Sequence, residues 1–270
     1  MSTNAKLYDG LDLLYRELWG KTLHHGLWIK GNESPVQARN NLAQVCLTAL
    51  APQKGDTIAD IGCGYGTFSH LIVKDSDCQV HSITNSLAQI QAATSHPNIT
   101  FHHTDWLNHS LPPRSLDKAI ALESLSHFPN FDTFLSATSK SLRPGALFVI
   151  SDWYAKPHPS PVEQLLLRNL AKTGAIPNWR PINHLLTAAS RHHFTSQNHQ
   201  NFSSQAAPTW NAFFKLSCLL PFQKPKLIPL LSKTALHRPP LLISFPLLRL
   251  AYHLGILEYH LCIFKKEPTT

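Results

Sequence analysis

Charge is scarce in this sequence: Asp, Glu, Lys and Arg make up 15% of its 270 residues, while 43% are hydrophobic. That balance describes a globular protein with a substantial core, one large domain or a domain with an insertion. The net charge is +8 and the pI is near 9.3, which would suit an anionic partner such as nucleic acid, an acidic membrane surface or a diphosphate. No basic run exceeds Lys265-Lys266, however, and no basic-aromatic motif accompanies it, which argues against nucleic acid. No C-x-x-C pair occurs among Cys46, Cys63, Cys78, Cys218 and Cys262. Their odd number reads as reduced core thiols of an intracellular protein, and a cytoplasmic location is expected. The polar start, Met1 to Lys6, is not the apolar run of a signal peptide. The apolar stretch 210–254 is broken by Pro221, Pro225, Pro229, Pro239, Pro240 and Pro246, and by Lys233, Arg238 and Arg249. That excludes an 18-residue transmembrane span and leaves core, a cover over a ligand, or an interfacial patch in peripheral membrane contact. The histidine pairs at 24–25, 102–103 and 192–193 show no convergent ligand pattern, so no metal site is predicted.

What the chain does have is Thr57-Ile-Ala-Asp-Ile-Gly-Cys-Gly-Tyr-Gly-Thr-Phe68. Thr57 to Ile61 is short, apolar and β-branched, as suits a buried strand of a parallel sheet. Gly62, Gly64 and Gly66 follow at once, and Phe68-Ser-His-Leu-Ile-Val73 can open a helix. A glycine turn lets backbone press against a ligand, because no Cβ intervenes and positive φ is allowed. Such a turn is the nucleotide site of an open α/β sheet. Dinucleotide binders use G-x-G-x-x-G; here the third glycine comes one residue early, and Asp60 stands two before the first. The resulting D-x-G-x-G-x-G resembles motif I of the class I S-adenosylmethionine-dependent methyltransferases. The resemblance implies a Rossmann-like α/β fold, with a mostly parallel seven-stranded sheet and an antiparallel last strand. It also implies S-adenosyl-L-methionine as cofactor, its methionyl part held at Asp60, Gly62, Cys63, Gly64 and Gly66.

Ahead of this turn, apolar residues at 7, 11, 14, 15, 18 and 19 recur at helical spacing and predict an amphipathic helix. Tyr8-Asp9, Trp19-Gly20 and His24-His25-Gly26-x-Trp28 are similar to the start of tocopherol, sterol and related small-molecule methyltransferases. That similarity implies an N-terminal helical lid whose Tyr15, Trp19, His24, His25 and Trp28 face the acceptor; taken alone, these residues would equally cap the core. Ser34-Pro35 is an N-cap followed by proline, predicting a helix to about Leu50.

Behind the turn, Cys78 to Ile83 reads as the second strand, with no acid at its end for the ribose. Instead Ser82-Ile-Thr-Asn-Ser-Leu-Ala-Gln89 resembles the G-I-T-x-S-x-x-Q segment of the cyclopropane-synthase, sterol and tocopherol group. This implies Thr84, Asn85 and Gln89 around the ribose; an exposed helical Gln89 is the plain alternative. Ser82 replaces the group's glycine and is expected to crowd the strand end. Ile99 to Thr104 is the third strand, and the resemblance gives Asp105 the adenine amino group, with Trp106 lining the ring. Strand four, Lys118 to Leu122, runs into Glu123-Ser-Leu-Ser-His127, which matches an E-S-x-x-H segment of the same group. A helix over Phe131 to Leu142 follows, and Arg143 to Trp153 is a turn and fifth strand, similar to L-x-P-G-G with Ala146 for the second glycine.

Beyond Trp153 the motifs stop. Helices are predicted from Pro159-Ser-Pro161 and over His184 to Arg191, a strand over Phe194 to Phe202, and a closing strand over Glu258 to Glu267. The chain therefore divides into a lid (1–34), a cofactor-binding core (35–155), acceptor-binding helices (156–256) and a closing strand (257–270). Methyl transfer from a sulfonium is an in-line displacement in which the protein positions the acceptor and excludes water. His127 is the first candidate base, since imidazole titrates near neutrality. Glu123 is the second, or orients the acceptor, and is also assigned to the cofactor side; a structural histidine remains the bland reading among 17. The apolar C-terminal half favours a small lipophilic acceptor (isoprenoid, sterol-like or aromatic natural product), and the net positive charge leaves room for a prenyl diphosphate. Two other classes stay open: a non-catalytic binding subunit on this fold, and a nucleotide-dependent oxidoreductase, against which the early third glycine speaks.

Overall fold

The computed structural model describes residues 3–174, 176, 179–223 and 241–268; the prolines and basic residues of 224–240 lie outside the described residues. The sheet is built from β1 (Thr57–Ile61), β2 (Gln79–Thr84), β3 (Ile99–His103), β4 (Leu116–Leu122), β5 (Leu142–Ala155), β6 (Phe194–Asn201) and β7 (Leu257–Lys266). Their order is β3-β2-β1-β4-β5-β7-β6. Strands β1 to β5 pair in parallel, and β7 runs antiparallel to both β5 and β6. The expected antiparallel last strand is therefore present, and it lies inside the sheet.

Helices cover both faces: α1 (Thr3–Leu18), α2 (Pro35–Leu50), α3 (Thr67–Lys74), α4 (Leu87–Ala92), α5 (Phe131–Ser141), α6 (Pro161–Gly174), α7 (Ile182–Arg191), the short α8 (Ser203–Ala206), α9 (Pro208–Gln223) and α10 (Leu241–His253). Because side chains alternate along a strand, each strand feeds two cores. Ile58, Ile120 and Val149 face one, with Leu42 and Cys46 of α2 and Ile72 of α3. Ala59, Ile61, Ala119 and Ile150 face the other, with Phe134 and Leu135 of α5. Helix α2 starts as expected: Ser34 caps it, and Gln37 completes the reciprocal capping box, with Pro35 at the first turn.

The segment 156–256 divides between two tasks. Leu185, Ala188 and Ala189 of α7 pack with Phe148, Phe194 and Phe264 on the sheet. Helices α6, α9 and α10 instead join the α2 side through Leu167, Leu170, Trp210, Phe213, Phe245 and Leu248. Among the described residues, no helix is long and apolar enough to cross a membrane. Strand β1 has β2 on one side and β4 on the other, so the connections leave it in opposite directions. The crevice at the carboxyl ends of β1 and β4 is where such sheets bind ligands, and the glycine turn lies there.

Candidate functional site

A cavity of about 600 Å³ opens over the glycine turn. The glycines there do different jobs. At Gly62 φ is +78°, and a Cβ would stand 2.3 Å from the Ser124 Cβ; at Gly66 it would stand 2.6 Å from the Phe101 ring. At Gly64, φ +56°, nothing lies within 4 Å, so bare backbone faces the cavity. Asp60 is buried in the same wall and accepts a 2.6 Å hydrogen bond from the Ser69 hydroxyl. Burial pushes its carboxyl up to about 6, although the Ser69 bonds oppose this. Ser82 donates in turn to Ser69 at 2.6 Å, so it extends this chain of hydroxyls and does not crowd the strand end. Cys63 also lines the cavity, with a thiol held well above its usual range by burial.

Thr84, Asn85 and Gln89, at and after the end of the neighbouring strand β2, also line the cavity. The Thr84 hydroxyl donates to the Gln89 carboxamide oxygen at 2.7 Å, and Gln89 is buried, which removes the exposed alternative. Asp105 lines the cavity and caps the short turn Trp106–Asn108 through the Leu107 N–H at 3.0 Å. Trp106 reaches the cavity too, but its ring stacks on His109 and its N–H donates to Thr138. It is a wall fixed from behind.

Helix α1 lies across these loops, fastened by residues that the sequence reading left unassigned. The Asp9 carboxylate accepts from the Ser86 hydroxyl at 2.6 Å and the Ala88 N–H at 3.1 Å, at the start of α4. Asp12 accepts from the Tyr65 hydroxyl at 2.7 Å, inside the glycine turn. The Tyr8 hydroxyl sits 2.9 Å from His127 Nε2. Tyr8-Asp9 stands in the motif that resembles the small-molecule methyltransferases but carries no assigned role there, and Asp12 reads as part of the solvent face of an amphipathic helix.

Glu123 takes a left-handed conformation, φ +52°, which is rare outside glycine and asparagine and aims its side chain at the lid. Its Oε1 accepts from the His25 N–H at 2.6 Å and the Tyr259 hydroxyl at 2.8 Å; its Oε2 accepts from His25 Nδ1 at 2.9 Å. The Trp210 indole, a donor only, points at His25 Nε2 at 3.0 Å, and the Tyr252 hydroxyl approaches the same nitrogen at 3.1 Å. His25 Nε2 therefore carries the lone pair, and Nδ1 carries the proton given to Glu123. Burial alone would raise the Glu123 carboxyl; the facing His25 and its hydrogen bonds outweigh this and hold it below the usual range. With its oxygens engaged by the lid and β7, Glu123 is an anchor between lid and sheet, which leaves His127 as the stronger candidate base.

Beside this anchor lies a second chamber of about 100 Å³, whose walls include Tyr15, Trp19, His25, Trp153, Trp179, Trp210 and Phe245. The two cavities share Tyr8, Leu23, Glu123, His127 and Ile176. Of the predicted lid residues, Tyr15, Trp19 and His25 line the chamber and His24 lines the larger cavity. Trp28 lines neither: its indole donates to the Glu33 carbonyl at 2.9 Å, because the loop before α2 folds back on it. The expectation that Trp28 faces the acceptor is corrected accordingly.

A family model described as a methyltransferase domain matches residues 52–203. The chain is 30% identical over 166 residues to 27-O-demethylrifamycin SV methyltransferase of Amycolatopsis mediterranei, covering 59% of this chain and 61% of that protein. It is 25% identical over 235 residues to a probable chloroplastic tocopherol O-methyltransferase of Oryza sativa subsp. japonica, covering 78% and 64%. The chain thus spans a little over three fifths of the length of these two relatives. Among solved structures, mycolic acid cyclopropane synthase CmaA1 complexed with SAH and CTAB matches with a TM-score of 0.85, over 97% of each chain and at 17% identity, a likeness of fold. Since the domain match takes in more than half of its residues and includes the glycine turn, the chain belongs to the methyltransferase domain family.

Proposed function

We propose that this chain transfers the methyl group of S-adenosyl-L-methionine to a small lipophilic acceptor, an isoprenoid, sterol-like or aromatic natural product. One observation carries the reading: the cavity over the glycine turn and an aromatic chamber share a wall that includes His127 and Glu123. The residues suit the cofactor, with bare backbone at Gly64 for its methionyl part, Thr84, Asn85 and Gln89 for the ribose, and Asp105 for the adenine amino group. When bound, it supplies an electrophilic methyl group. The chain supplies position and dryness. Trp19, Trp153 and Trp210 exclude water from the chamber. The Trp19 indole N–H is buried with no partner among the described residues, which makes it a donor for an oxygen on the acceptor. His127, held by Tyr8, is the group on the shared wall able to take a proton from a hydroxyl acceptor. Relatives named as tocopherol and sterol methyltransferases support the lipophilic class.

The first test is a calorimetric titration with S-adenosylhomocysteine, wild type beside Gly64→Arg. Binding is expected in the former and not the latter; a folded wild type that does not bind overturns the reading. Tritium transfer from labelled cofactor to phenolic, isoprenoid and sterol acceptors then tests the class. His127→Ala should slow transfer to hydroxyl acceptors by about a hundredfold or more. Label appearing only in water-soluble acceptors would remove the lipophilic class.

A further inference from the structure

We propose that the outer faces of α6, α9 and α10 form a docking surface for an anionic phospholipid bilayer. The first observation is one of charge. Residues 164–257 contain none of the protein's 16 Asp and Glu and ten of its 24 Lys and Arg. The rest of the chain carries 14 basic against 16 acidic residues, a net charge of −2, so the whole positive excess of the protein belongs to this segment. Among the described residues of the segment, Arg168 of α6, Lys215 of α9 and Arg249 of α10 are exposed on these helices, and charges so placed draw the face toward a negative surface before contact.

The second observation is what that segment exposes. Trp210 and Phe213 of α9 point into the core, yet its opposite face presents Phe214, Lys215, Cys218, Leu219 and Phe222, with Phe222 84% exposed. The i, i+4, i+8 spacing of 214, 218 and 222 keeps them on one side. Helix α10 packs against both α9 and α6. It exposes Arg249, Leu250 and Leu254, and α6 exposes Val162, Leu165 and Arg168. Arg249 lies among the apolar groups, its guanidinium 5.9 Å from the Phe214 ring centre. Helices apolar on both faces belong inside a protein or against lipid. Basic side chains among exposed apolar ones mark the interfacial kind, whose charged heads reach lipid phosphates while the apolar groups enter the acyl boundary. The one acid on these three helices, Glu163 at the start of α6, is held by Lys156 at 2.7 Å and by the Ser160 N–H.

The inner faces of the same helices wall the aromatic chamber through Leu170, Trp210, Phe245 and Leu248. A bilayer on the outer face would stand one helix layer from that chamber, about 10 Å. The surface itself stands whether or not the proposed methyl acceptor is right, because neither observation uses the chemistry.

The test is vesicle flotation of the full chain, with phosphatidylcholine alone and with phosphatidylcholine mixed with phosphatidylglycerol. The protein should float with the mixed vesicles, bind neutral ones at least roughly tenfold more weakly, and lose most binding as salt shortens the reach of its charges. Phe222→Glu with Leu254→Glu, and separately Lys215→Glu, should each weaken binding by roughly tenfold or more. Both variants should keep the wild-type melting temperature and the wild-type response to S-adenosylhomocysteine, so the loss reads the surface and not the fold. No flotation, equal flotation on both vesicle types, or binding to soluble heparin without binding to vesicles would each overturn the proposal.

Discussion

Gly62 and Gly64 both hold positive φ, but only Gly62 is hemmed in by a neighbour. Gly64→Ala should cost about 1 kcal/mol for the left-handed backbone and weaken S-adenosylhomocysteine binding, since the methyl group enters the cavity. Gly62→Ala adds a collision with Ser124 and should cost about 3 kcal/mol or more, which urea unfolding separates from any effect on binding. The sequence showed that three glycines sit in a turn; which of them faces the ligand depends on Ser124 and Phe101, residues from other strands and loops. Asp152 makes a second case. It is fully buried on β5, accepts from the Ser126 and Trp153 N–H groups, and burial still pushes it up to about 7. A carboxyl raised in the folded state favours folding at acid pH, and that contribution fades as pH climbs from the unfolded value, about 4, through 7. Relative to Asp152→Asn, the wild type should therefore lose stability over this range, by a few kcal/mol at about 1.4 kcal/mol per unit. Parallel unfolding curves of the two proteins at pH 4 and pH 8 check the sign, because Asp60 contributes equally to both.

The lid is held by the element it crosses more than by its own helix. Asp9 and Asp12 bind the loops after β2 and β1, and His25 closes the far end on Glu123. Glu123→Gln must turn an amide N–H₂ toward either the His25 backbone N–H or its Nδ1–H. The ring cannot answer by switching tautomer, because Trp210 donates to its other nitrogen. The substitution should cost about 1–3 kcal/mol for the mismatched buried donors and open residues 19–34 to protease. Limited digestion with mass mapping reads this directly; Tyr259→Phe, which removes one bond of the set, should do less. The amphipathic period of α1, the cap at Ser34 and the Glu123-to-His127 segment were legible because they are local patterns. The hub was not: Trp210 and Tyr252 reach His25 from 185 and 227 residues away, and neither has a pattern around it that says so. Trp28 misled for the converse reason, since a nearby carbonyl satisfied an indole that looked functional.

The sheet as a whole depends on β7, which pairs with β5 from Leu147↔Lys265 to Ala155↔Leu257 and with β6 from Phe194↔Lys266 to Asn201↔His260. A chain ending before Leu257 would leave both neighbours with open edges and β6 without a partner. It should be recovered as aggregate, with loss of cooperative unfolding by circular dichroism. The closing strand was expected from the resemblance to small-molecule methyltransferases, and the buried parallel strand at Thr57–Ile61 from its short apolar, β-branched run. The place of β6 was less legible, because all its side chains after Phe194 are exposed and polar, so no hydrophobic alternation records its pairing.

That β7 lies within the sheet also sets a sequence of events in time. A chain leaving the ribosome in order presents the glycine turn, the lid and the helices around the chamber well before Tyr259 has been made. Until it arrives, β5 and β6 stay apart, and Glu123 holds His25 without the hydroxyl that joins the anchor to the sheet. The nascent protein can therefore form the pocket floor early, but its latch sets only when β7, made after the other six strands of the sheet, slots into place.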